Sequence, residues 1–472
     1  GQTYPDAAYP ETATLELPRT GHTVNYYLND AERAHPDDRS GRHAWHWVGY
    51  PIHVSFSGLI RERKIRFMTG AAESLALAYL FTGDARYAAA TRKVLTRFAR
   101  AFRTWPYRDY WDSYADCDPL YAAWHHDALP LTWKRHLSEG AFDDDTVSRA
   151  RMLRNYWGAG RLHVSTGGIT ALPALAAAYD LTCMAQHADG TPVWPQADRR
   201  RVERDLLLEF IFESEPFVGG AGRATNASNK APRIYNAMAV VAKTLGLAPL
   251  ADIALRGYER VRDESFNPDG FCTESPSYNN MYLSQLLRVP EALHGFTWPE
   301  DFDARQGRVD YYRSDPLLRR MYRGILWTLL PSGEYIPLSD TRINRQPAGH
   351  LVHFGLRRYP DLFAGTAPRL GAGRMSRYAL FQLDEARLQQ DAPLVLPETL
   401  FPDWGTALLR HGAGPAAHTL SLSFSPWGGH RQYDNLSIFY DAGGHTLLSD
   451  LGYVGDMPVN DWIKATHSHN LV

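Results

Sequence analysis

The length, composition and charge of this chain exclude several classes of protein. It has 472 residues, of which 44% are hydrophobic and 22% are charged, as expected for a globular protein of about two to four domains. Its formal net charge is −2, so no overall basic field exists to attract nucleic acid or an anionic membrane. We therefore expect neither as a partner, and a polyanionic ligand would need a local basic cleft. The most apolar run, 169–181, contains Pro173 and Asp180 and is too short to cross a bilayer.

The cysteines and the first residue bear on the cellular location. Cys117, Cys183 and Cys272 are odd in number and widely separated, which predicts neither a disulfide framework nor a zinc knuckle. The sequence begins at Gly1 without methionine, as it would after removal of a signal peptide or after trimming. A secreted or periplasmic location is therefore an expectation.

Successive amphipathic helices are predicted from about Ile65 to Leu330. Residues Met238, Val241, Ala242 and Leu245 fall on one helical face. The segments 75–87 and 240–251 share a plan, in which a helix rich in Ala and Leu ends, a turn containing glycine follows, and a second helix begins. This plan predicts stacked helical hairpins, as in a toroid or solenoid.

The pattern changes after about Ala367, where glycine-rich turns separate short runs typical of β-strands. The predicted strands are Thr406 to Arg410, His418 to Ser425, Leu436 to Asp441 and Thr446 to Ser449. Such runs predict a β-sandwich or a large antiparallel sheet. The fold class is therefore α+β and multidomain, with residues 1–370 helical and residues 371–472 forming the sheet.

A first candidate for ligand binding is the segment 226–233, which reads NASNKAPR. Pro232 suits the first turn of a helix, so Asn229 lies just ahead of a helix N-terminus, where free N–H groups favour an anion. An amide at this point could hydrogen-bond a carboxylate, with Lys230 or Arg233 adding positive charge. The alternative is an asparagine that only caps the helix.

A second candidate is the segment 268–282, which reads PDGFCTESPSYNNMY. A turn at Asn267 to Gly270 is followed by a helix that carries Tyr278 and Tyr282 one turn apart. A tyrosine beside cationic groups can act as general base and acid. Tyr278 is the preferred candidate, and two core tyrosines are the alternative. Glu274 either orients a catalytic group or only begins the helix.

A third candidate is His430 in the stretch 427–435, which reads WGGHRQYDN. Leu420, Leu422 and Phe424 alternate with serines, as in a half-buried strand. The glycine pair then lets the backbone turn and present the imidazole at the end of the strand. The alternative is an ordinary loop histidine.

Together these segments resemble the heparinase II/III-like polysaccharide lyases, including the related oligoalginate lyases. The stretches GGHRQYDNLS, LLSDLGY and HSHNLV near the end of the chain are similar to that family's GGHGHxDNLS, LLVDPGxY and AHNTV series. PDGFCTESPSY is similar to the segment that ends at the family's catalytic tyrosine, and SNK at 228–230 stands in place of its Asn-His pair. The resemblance covers about 151–472 in order.

The resemblance implies an incomplete (α/α) toroid followed by an antiparallel β-domain, and cleavage of uronic-acid polysaccharides by β-elimination. Asn229 would neutralise the uronate carboxylate, Tyr278 would be the catalytic tyrosine, and His430 the histidine from the β-domain. Many members hold a structural zinc, whose ligands would fall at Gln432, Asp450 and His469, with Tyr453 near the active site. The remaining candidates for the substrate cleft are Asn226, Lys230, Arg233, Tyr282, Trp124 and His126.

Three departures from the family pattern have consequences. Lys230 replaces a histidine, so one base for an anti elimination is missing. Gln432 replaces a histidine that binds metal, and because a neutral amide is a poor zinc ligand, zinc, calcium and no metal all stay open. The family continues through further strands beyond the position of Val472, so a truncated β-domain is expected.

The chemistry of β-elimination suits these side chains. The C5 proton of a uronic acid becomes acidic once its carboxylate is neutralised, and an amide with a cation stabilises the enolate-like intermediate. Tyr278 could act as both base and acid in a syn elimination, or His430 could abstract the proton in an anti elimination.

Two other functions stay open. The first is a glycoside hydrolase on a similar helical toroid, using carboxylates such as Asp127, Glu274 or Asp340. The second is an acidic-glycan-binding protein without activity. The sequence does not select the polymer, endo or exo cleavage, or the oligomeric state.

Overall fold

The computed structural model describes residues 14–16, 23–25, 46–47, 50–51, 56–102, 168–214, 218, 223–425, 429–454 and 459–471. Trp124, His126 and Asp127 lie outside these residues. The chain divides into two compact units, Gly1–Thr225 with Ala237–Ile253, and Asn226–Asn236 with Ala254–Val472. The predicted boundary near residue 370 stays a prediction.

The first unit contains two short strand pairs and a set of helices. The pairs are β1 (Thr14–Glu16) with β2 (Thr23–Asn25) and β3 (His46–Trp47) with β4 (Tyr50–Pro51). The helices are α1 (Phe56–Thr82), α2 (Ala85–Ala101), α3 (Leu172–Thr182), α4 (Gln196–Val202) and α5 (Glu209–Ser214), with a π-helical turn at Glu203–Leu208. Two further helices, α6 (Ala231–Leu245) and α7 (Ala248–Ser265), have residues in both units.

Helices α1, α2 and α3 pack on one another through small side chains. Ala72, Ala76, Ala88 and Ala176 are fully buried, and alanine lets helices approach closely while it favours the helical backbone. Asp84 caps α2 by accepting a hydrogen bond from the Arg86 N–H at 2.9 Å.

The helical hairpins predicted at 75–87 and 240–251 are confirmed. In the first, α1 ends at Thr82 and α2 begins at Ala85, and in the second α6 ends at Leu245 and α7 begins at Ala248. Each turn contains a glycine with positive φ, Gly83 at 69° and Gly246 at 68°. A glycine ends each first helix because the left-handed backbone is unfavourable for other residues.

The second unit continues with short helices before its sheet. They are α8 (Pro276–Leu286), α9 (Arg288–Leu293), α10 (Tyr311–Ser314), α11 (Pro316–Trp327), α12 (Gly349–Arg358), α13 (Pro360–Phe363), α14 (Arg377–Gln382) and α15 (Glu385–Gln389), and α16 (Val459–Ile463) follows the sheet.

A turn of one design recurs after several helices. At 186–192, 266–272 and 329–335 the chain forms a single antiparallel bridge across a tight turn. The turn glycines, Gly190, Gly270 and Gly333, have φ of 82°, 92° and 87°. Each glycine N–H donates to the carbonyl three residues before it, at 2.9 Å in all three turns. The sequences HADG, NPDG and LPSG are thus the same hairpin turn, which needs glycine at its left-handed position.

The predicted antiparallel sheet is confirmed. It contains β5 (Thr399–Phe401), β6 (Thr406–His411), β7 (His418–Ser423), β8 (Ile438–Ala442) and β9 (His445–Leu448), in that spatial order. Strand β5 was not predicted, because three residues carry too little alternation to be recognised. Closure of the helices into a toroid and a second sheet layer stay predictions.

The residues buried on this sheet differ from those of an ordinary half-buried sheet, in which the buried face is mainly apolar. The buried face is rich in hydroxyls, with Thr406, Thr419 and Ser421 fully buried. Leu408 is also buried on this face, whereas Leu400 and Leu409 on the opposite face are 61% and 55% exposed. The buried face is tied to the helices by Arg410, which donates to the carbonyls of Trp327 and Leu329 at 2.7 and 3.0 Å.

Among the helices of the described residues, none has both the length and the apolar character to cross a membrane.

Candidate active site

The segment that carries Tyr278 begins directly after the turn at 266–272. Ser275 has an extended backbone and caps α8, and Pro276 occupies the first helical turn, as expected for a helix start. Ser275 is fully buried, and its hydroxyl donates to the carbonyl of Asp340 at 3.0 Å. The N-terminus of α8 is therefore held by the chain around Asp340.

Residues 339–342, which follow the turn at 329–335, connect the Tyr278 helix to the loop of His430. The Asp340 N–H donates to the carbonyl of His430 at 3.3 Å, and the Ser277 N–H donates to the hydroxyl of Thr341 at 3.1 Å. The Tyr453 N–H donates to the Thr341 carbonyl at 3.1 Å. Tyr278, His430 and Tyr453 are thus anchored to one short stretch of backbone.

His430 and Tyr278 are in direct contact. Their rings stack with centroids 3.5 Å apart and planes inclined by 17°. His430 has a φ of 54°, a left-handed conformation that is uncommon outside glycine and often occurs at functional sites. Its side chain is 36% exposed, so the pair is accessible from solvent.

Glu274 contacts the same histidine at a ring nitrogen. Its Oε2 is 2.9 Å from His430 Nδ1, and its side chain is only 12% exposed. A Cβ added at Gly429 would lie 3.4 Å from Glu274 Oε1, an ordinary van der Waals distance, so the backbone of Gly429 packs beside the carboxylate. The sequence pattern allows either an orienting role or a simple helix start for Glu274, because its partner is 156 residues away.

The two candidate tyrosines have different environments. Tyr282 is 4% exposed, packs edge-on against Phe266, and its hydroxyl lies 3.5 Å from Glu274 Oε1. Burial, followed by the charge of Glu274, raises the pKa of Tyr282 well above its usual range, which disfavours the phenolate. Tyr278 is only partly buried, and its ring contacts the imidazole, so Tyr278 is the better candidate for acid–base chemistry.

Asn229 lies in a turn of the same unit as these side chains. It is partly exposed in the turn before α6, where the Ser228 N–H donates to Asn226 Oδ1 at 2.8 Å. The Ala227 carbonyl accepts a hydrogen bond from the Ser265 hydroxyl at 2.9 Å, so the Asn229 turn is attached to the chain at Ser265, just ahead of the turn at 266–272. Among the described residues, direct contacts join Tyr278 to His430 and His430 to Glu274.

Two basic residues follow Asn229 in the sequence, Lys230 in the same turn and Arg233 in the first turn of α6. Lys230 and Arg233 are both partly exposed. Burial lowers the pKa of Arg233 from its ordinary value, although a guanidinium stays charged at neutral pH.

Two of the predicted metal ligands come together with a residue that was not predicted. Asp450 and His469 lie with Asp434 so that one ligand atom from each falls within 4.8 Å of the others. His469 Nδ1 is 3.2 Å from Asp450 Oδ2. Burial and the neighbouring Asp450 raise the pKa of Asp434 to about 6. Asp434 stands two residues after Gln432, and nothing in the sequence pattern distinguished it from a turn residue.

Gln432 faces a different partner. Its amide N–H groups donate to Asp340 Oδ1 at 3.2 Å and to the Gly452 carbonyl at 2.7 Å, while Lys464 Nζ lies 3.2 Å from Asp340 Oδ2. Gln432 Oε1 and His469 Nε2 are buried, and neither has a hydrogen-bond partner among the described residues. Two carboxylates and an imidazole suit a divalent cation, so Asp434, Asp450 and His469 fit such an ion.

Comparisons with known proteins find distant structural likenesses alone. No family model matches the sequence, and no curated protein matches it. A solved heparinase III is similar with 14% identity and a TM-score of 0.49, over 98% of this chain and 63% of that one. A second heparinase III structure has 14% identity and a TM-score of 0.43, over 98% and 64%. A heparan sulfate lyase from Pedobacter heparinus has 15% identity and a TM-score of 0.46, over 84% and 51%.

The chain spans between 51% and 64% of the length of these three proteins. Because the identities and TM-scores are this low, the side chains of the site are the basis for inferring its function.

Proposed function

We propose that this protein is a polysaccharide lyase that cleaves a uronic-acid-containing glycan by β-elimination. The observation that carries the proposal is the accessible stack of Tyr278 on His430, with Glu274 against the imidazole Nδ1. A phenol and an imidazole in contact provide the two proton-transfer groups that an elimination needs. The motif series at 268–278, 428–437, 447–453 and 467–472, with its resemblance to heparinase II/III-like lyases, supports the same reaction.

The proposed mechanism divides the work among three side chains. The Asn229 amide, with Lys230 beside it, hydrogen-bonds the uronate carboxylate and stabilises the enolate-like intermediate as the C5 proton leaves. Tyr278 protonates the departing oxygen at C4, and either Tyr278 or His430 removes the C5 proton. An imidazolium stacked on Tyr278 would also favour its phenolate, because opposite charges attract across a short distance.

The substrate we propose is a glycosaminoglycan or an alginate-type polymer, bound by Asn226, Lys230, Arg233 and Tyr453 around the reacting pair. Such polymers are too large and too charged to cross a bilayer unaided, which is consistent with a secreted or periplasmic enzyme.

A glycoside hydrolase is less well supported by the described residues. It would need two carboxyl groups on opposite sides of a glycosidic bond. Asp340 is 1% exposed and is engaged by Lys464 and Gln432, and Glu274 is engaged by His430. Neither carboxylate is presented to a substrate.

We also propose that Asp434, Asp450 and His469 bind a divalent cation, zinc or calcium. A bound cation would neutralise the negative charge of two buried carboxylates, and it would join the 430–434 loop to the 450–453 segment. Its role is structural, and it supplies no step of the elimination.

The function is tested by incubating the protein with a panel of uronic-acid polysaccharides and measuring absorbance of unsaturated products. We expect such products from at least one polymer, and Tyr278→Phe should reduce turnover by about 10²- to 10⁴-fold because the proton-transfer group is lost.

Tyr440→Phe is the matched control, since its hydroxyl contacts His418 on the sheet at 2.8 Å, and it should retain activity. New reducing ends without unsaturated sugars would identify a hydrolase, and binding without products would identify a glycan-binding protein. Either result would refute the lyase.

A further inference from the structure

We infer that Glu274 is a positioning residue for His430. Its carboxylate selects the imidazole tautomer with the proton on Nδ1, so that Nε2 keeps the free lone pair. This inference deepens the proposed lyase function and rests on it for its catalytic meaning, while the tautomer itself can be tested without any activity.

The hydrogen-bond geometry selects the tautomer. Glu274 Oε2 lies 2.9 Å from His430 Nδ1, and an ionised carboxylate can only accept a hydrogen bond. Nδ1 must therefore carry a proton and donate it. In the neutral ring this leaves Nε2 unprotonated, and an unprotonated Nε2 is the atom that can accept a proton from a substrate carbon.

Glu274 is itself held in place on several sides. Its carbonyl accepts a hydrogen bond from the indole N–H of Trp404 at 3.0 Å, and its N–H points at the sulfur of Cys272 at 3.4 Å. Its second carboxylate oxygen lies 3.5 Å from the hydroxyl of Tyr282. A carboxylate restrained in this way can orient the ring that it contacts.

The position of Glu274 in the sequence places it at the same helix N-terminus as Tyr278, so that both side chains can contact His430. It precedes the cap residue Ser275, and Tyr278 follows in the first turn of the same helix. The helix N-terminus thus supplies both the phenol that stacks on the imidazole and the carboxylate that holds its Nδ1. An acidic group that orients a histidine in this manner is the arrangement of catalytic triads, where its loss leaves the wrong tautomer.

The experiment is nitrogen-15 NMR of the full chain with labelled histidine, at alkaline pH with the ring neutral. The His430 signals are assigned by their loss in His430→Gln. We expect the wild-type ring to be in the Nδ1–H form. Glu274→Ala should convert it largely to the Nε2–H form that free histidine favours, while Glu274→Asp, which keeps an acceptor, should retain some of the Nδ1–H form.

The matched control is Glu259→Ala. Glu259 accepts hydrogen bonds from Arg305 and Tyr311 elsewhere in the same unit, and its removal should leave the His430 signals unchanged. A wild-type Nε2–H form, or an Nδ1–H form that persists in Glu274→Ala, would overturn the inference.

Kinetics adds a second readout if a substrate is found. Glu274→Ala should lower kcat by about 10²- to 10⁴-fold with a much smaller change in KM, and Glu274→Asp should recover part of the rate. A wild-type protein that turns over no polymer but shows the expected tautomer would refute the lyase function and leave the positioning contact intact.

Discussion

At single positions, the environment of a side chain distinguishes residues that are chemically alike. Tyr278 and Tyr282 lie one turn apart on the same helix, yet one stacks on His430 and the other is buried beneath Glu274. The same holds for the acidic residues, because Glu274 contacts an accessible imidazole whereas Asp340 is occupied by Lys464. Chemical type identifies candidates, and contacts identify their roles.

Asn229 provides a test at this level of detail. We expect Asn229→Ala to lower kcat by about 10²-fold or more while KM changes little, because its amide hydrogen bond should strengthen as the enolate forms. Initial rates over a range of substrate concentrations give both constants. Gln389→Ala is the control, because this amide donates to the Gly373 carbonyl at 3.1 Å away from the candidate site, and it should keep kcat near the wild-type value. Equal losses in binding and turnover for Asn229→Ala would contradict its proposed role.

Among the secondary-structure elements, the recurrent hairpin turn has the clearest consequence for the site. The turn at 266–272 ends just before Glu274, and the turn at 329–335 ends just before Ser339. The two turns therefore precede the two segments that surround Tyr278, which are joined by the hydrogen bond from Ser275 to Asp340. Asp269 strengthens the first turn by accepting hydrogen bonds from the N–H groups of Asp403 and Trp404 at 3.1 and 2.8 Å. A rigid turn ahead of the segment with Glu274 and Tyr278 limits the freedom of these candidate residues to move.

Two glycines in equivalent turns are predicted to differ in their tolerance of alanine. An alanine Cβ at Gly270 would lie 2.5 Å from the backbone carbon of Arg320, whereas nothing lies within 4 Å of one at Gly190. Both have positive φ, so Gly190→Ala should cost about 1 kcal/mol of stability, and Gly270→Ala about 3 kcal/mol or more. Chemical denaturation of both variants measures the difference. Equal losses would show that backbone conformation alone requires these glycines.

The contact between helices α8 and α12 is predicted to make stability depend on pH. His350 Nε2 lies 2.8 Å from the carbonyl of Ser284. Burial, and then the positive charge of Arg288, lower the pKa of His350 from 6.5 to about 3. Below pH 6.5 the His350 imidazole is therefore protonated in the unfolded chain, whereas in the folded protein it stays neutral until about pH 3.

This difference destabilises the folded protein as pH falls through that window. We expect about 2–3 kcal/mol less stability at pH 4.5 than at pH 7.5 from this group. His350→Gln, which can still donate to Ser284, should remove that part of the loss. Denaturation at both pH values tests it, with His411→Gln on an exposed histidine as the control. A His350→Gln protein with the wild-type acid sensitivity would contradict the assignment.

In the molecule as a whole, residues far apart in the sequence assemble the candidate cation site. Asp434, Asp450 and His469 come from three separate motifs. A cation bound by the folded protein and not by the unfolded chain raises stability, by about 2.7 kcal/mol at a hundred times its Kd.

We therefore expect Zn²⁺ or Ca²⁺ to raise the Tm and a chelator to reverse the increase. Asp434→Asn should abolish the response, while Asp441→Asn, at a buried carboxylate of the sheet outside the cluster, should keep it. Metal content of the purified protein is measured in parallel. A wild-type Tm that changes neither with the two ions nor with the chelator would refute the cation site.

Local sequence patterns were sufficient for the helical hairpins and four of the five strands, and they selected the segments of Tyr278, Asn229 and His430 as candidates for the site. These features depend on side-chain periodicity and on turn residues, which act over a few positions. Folding was needed to find that Glu274 meets His430 across 156 residues, that Asp434 joins Asp450 and His469, and that the serine face of β7 is the buried one. Partners so distant in the chain are brought together by packing of whole elements, and no local pattern encodes which pairs will meet.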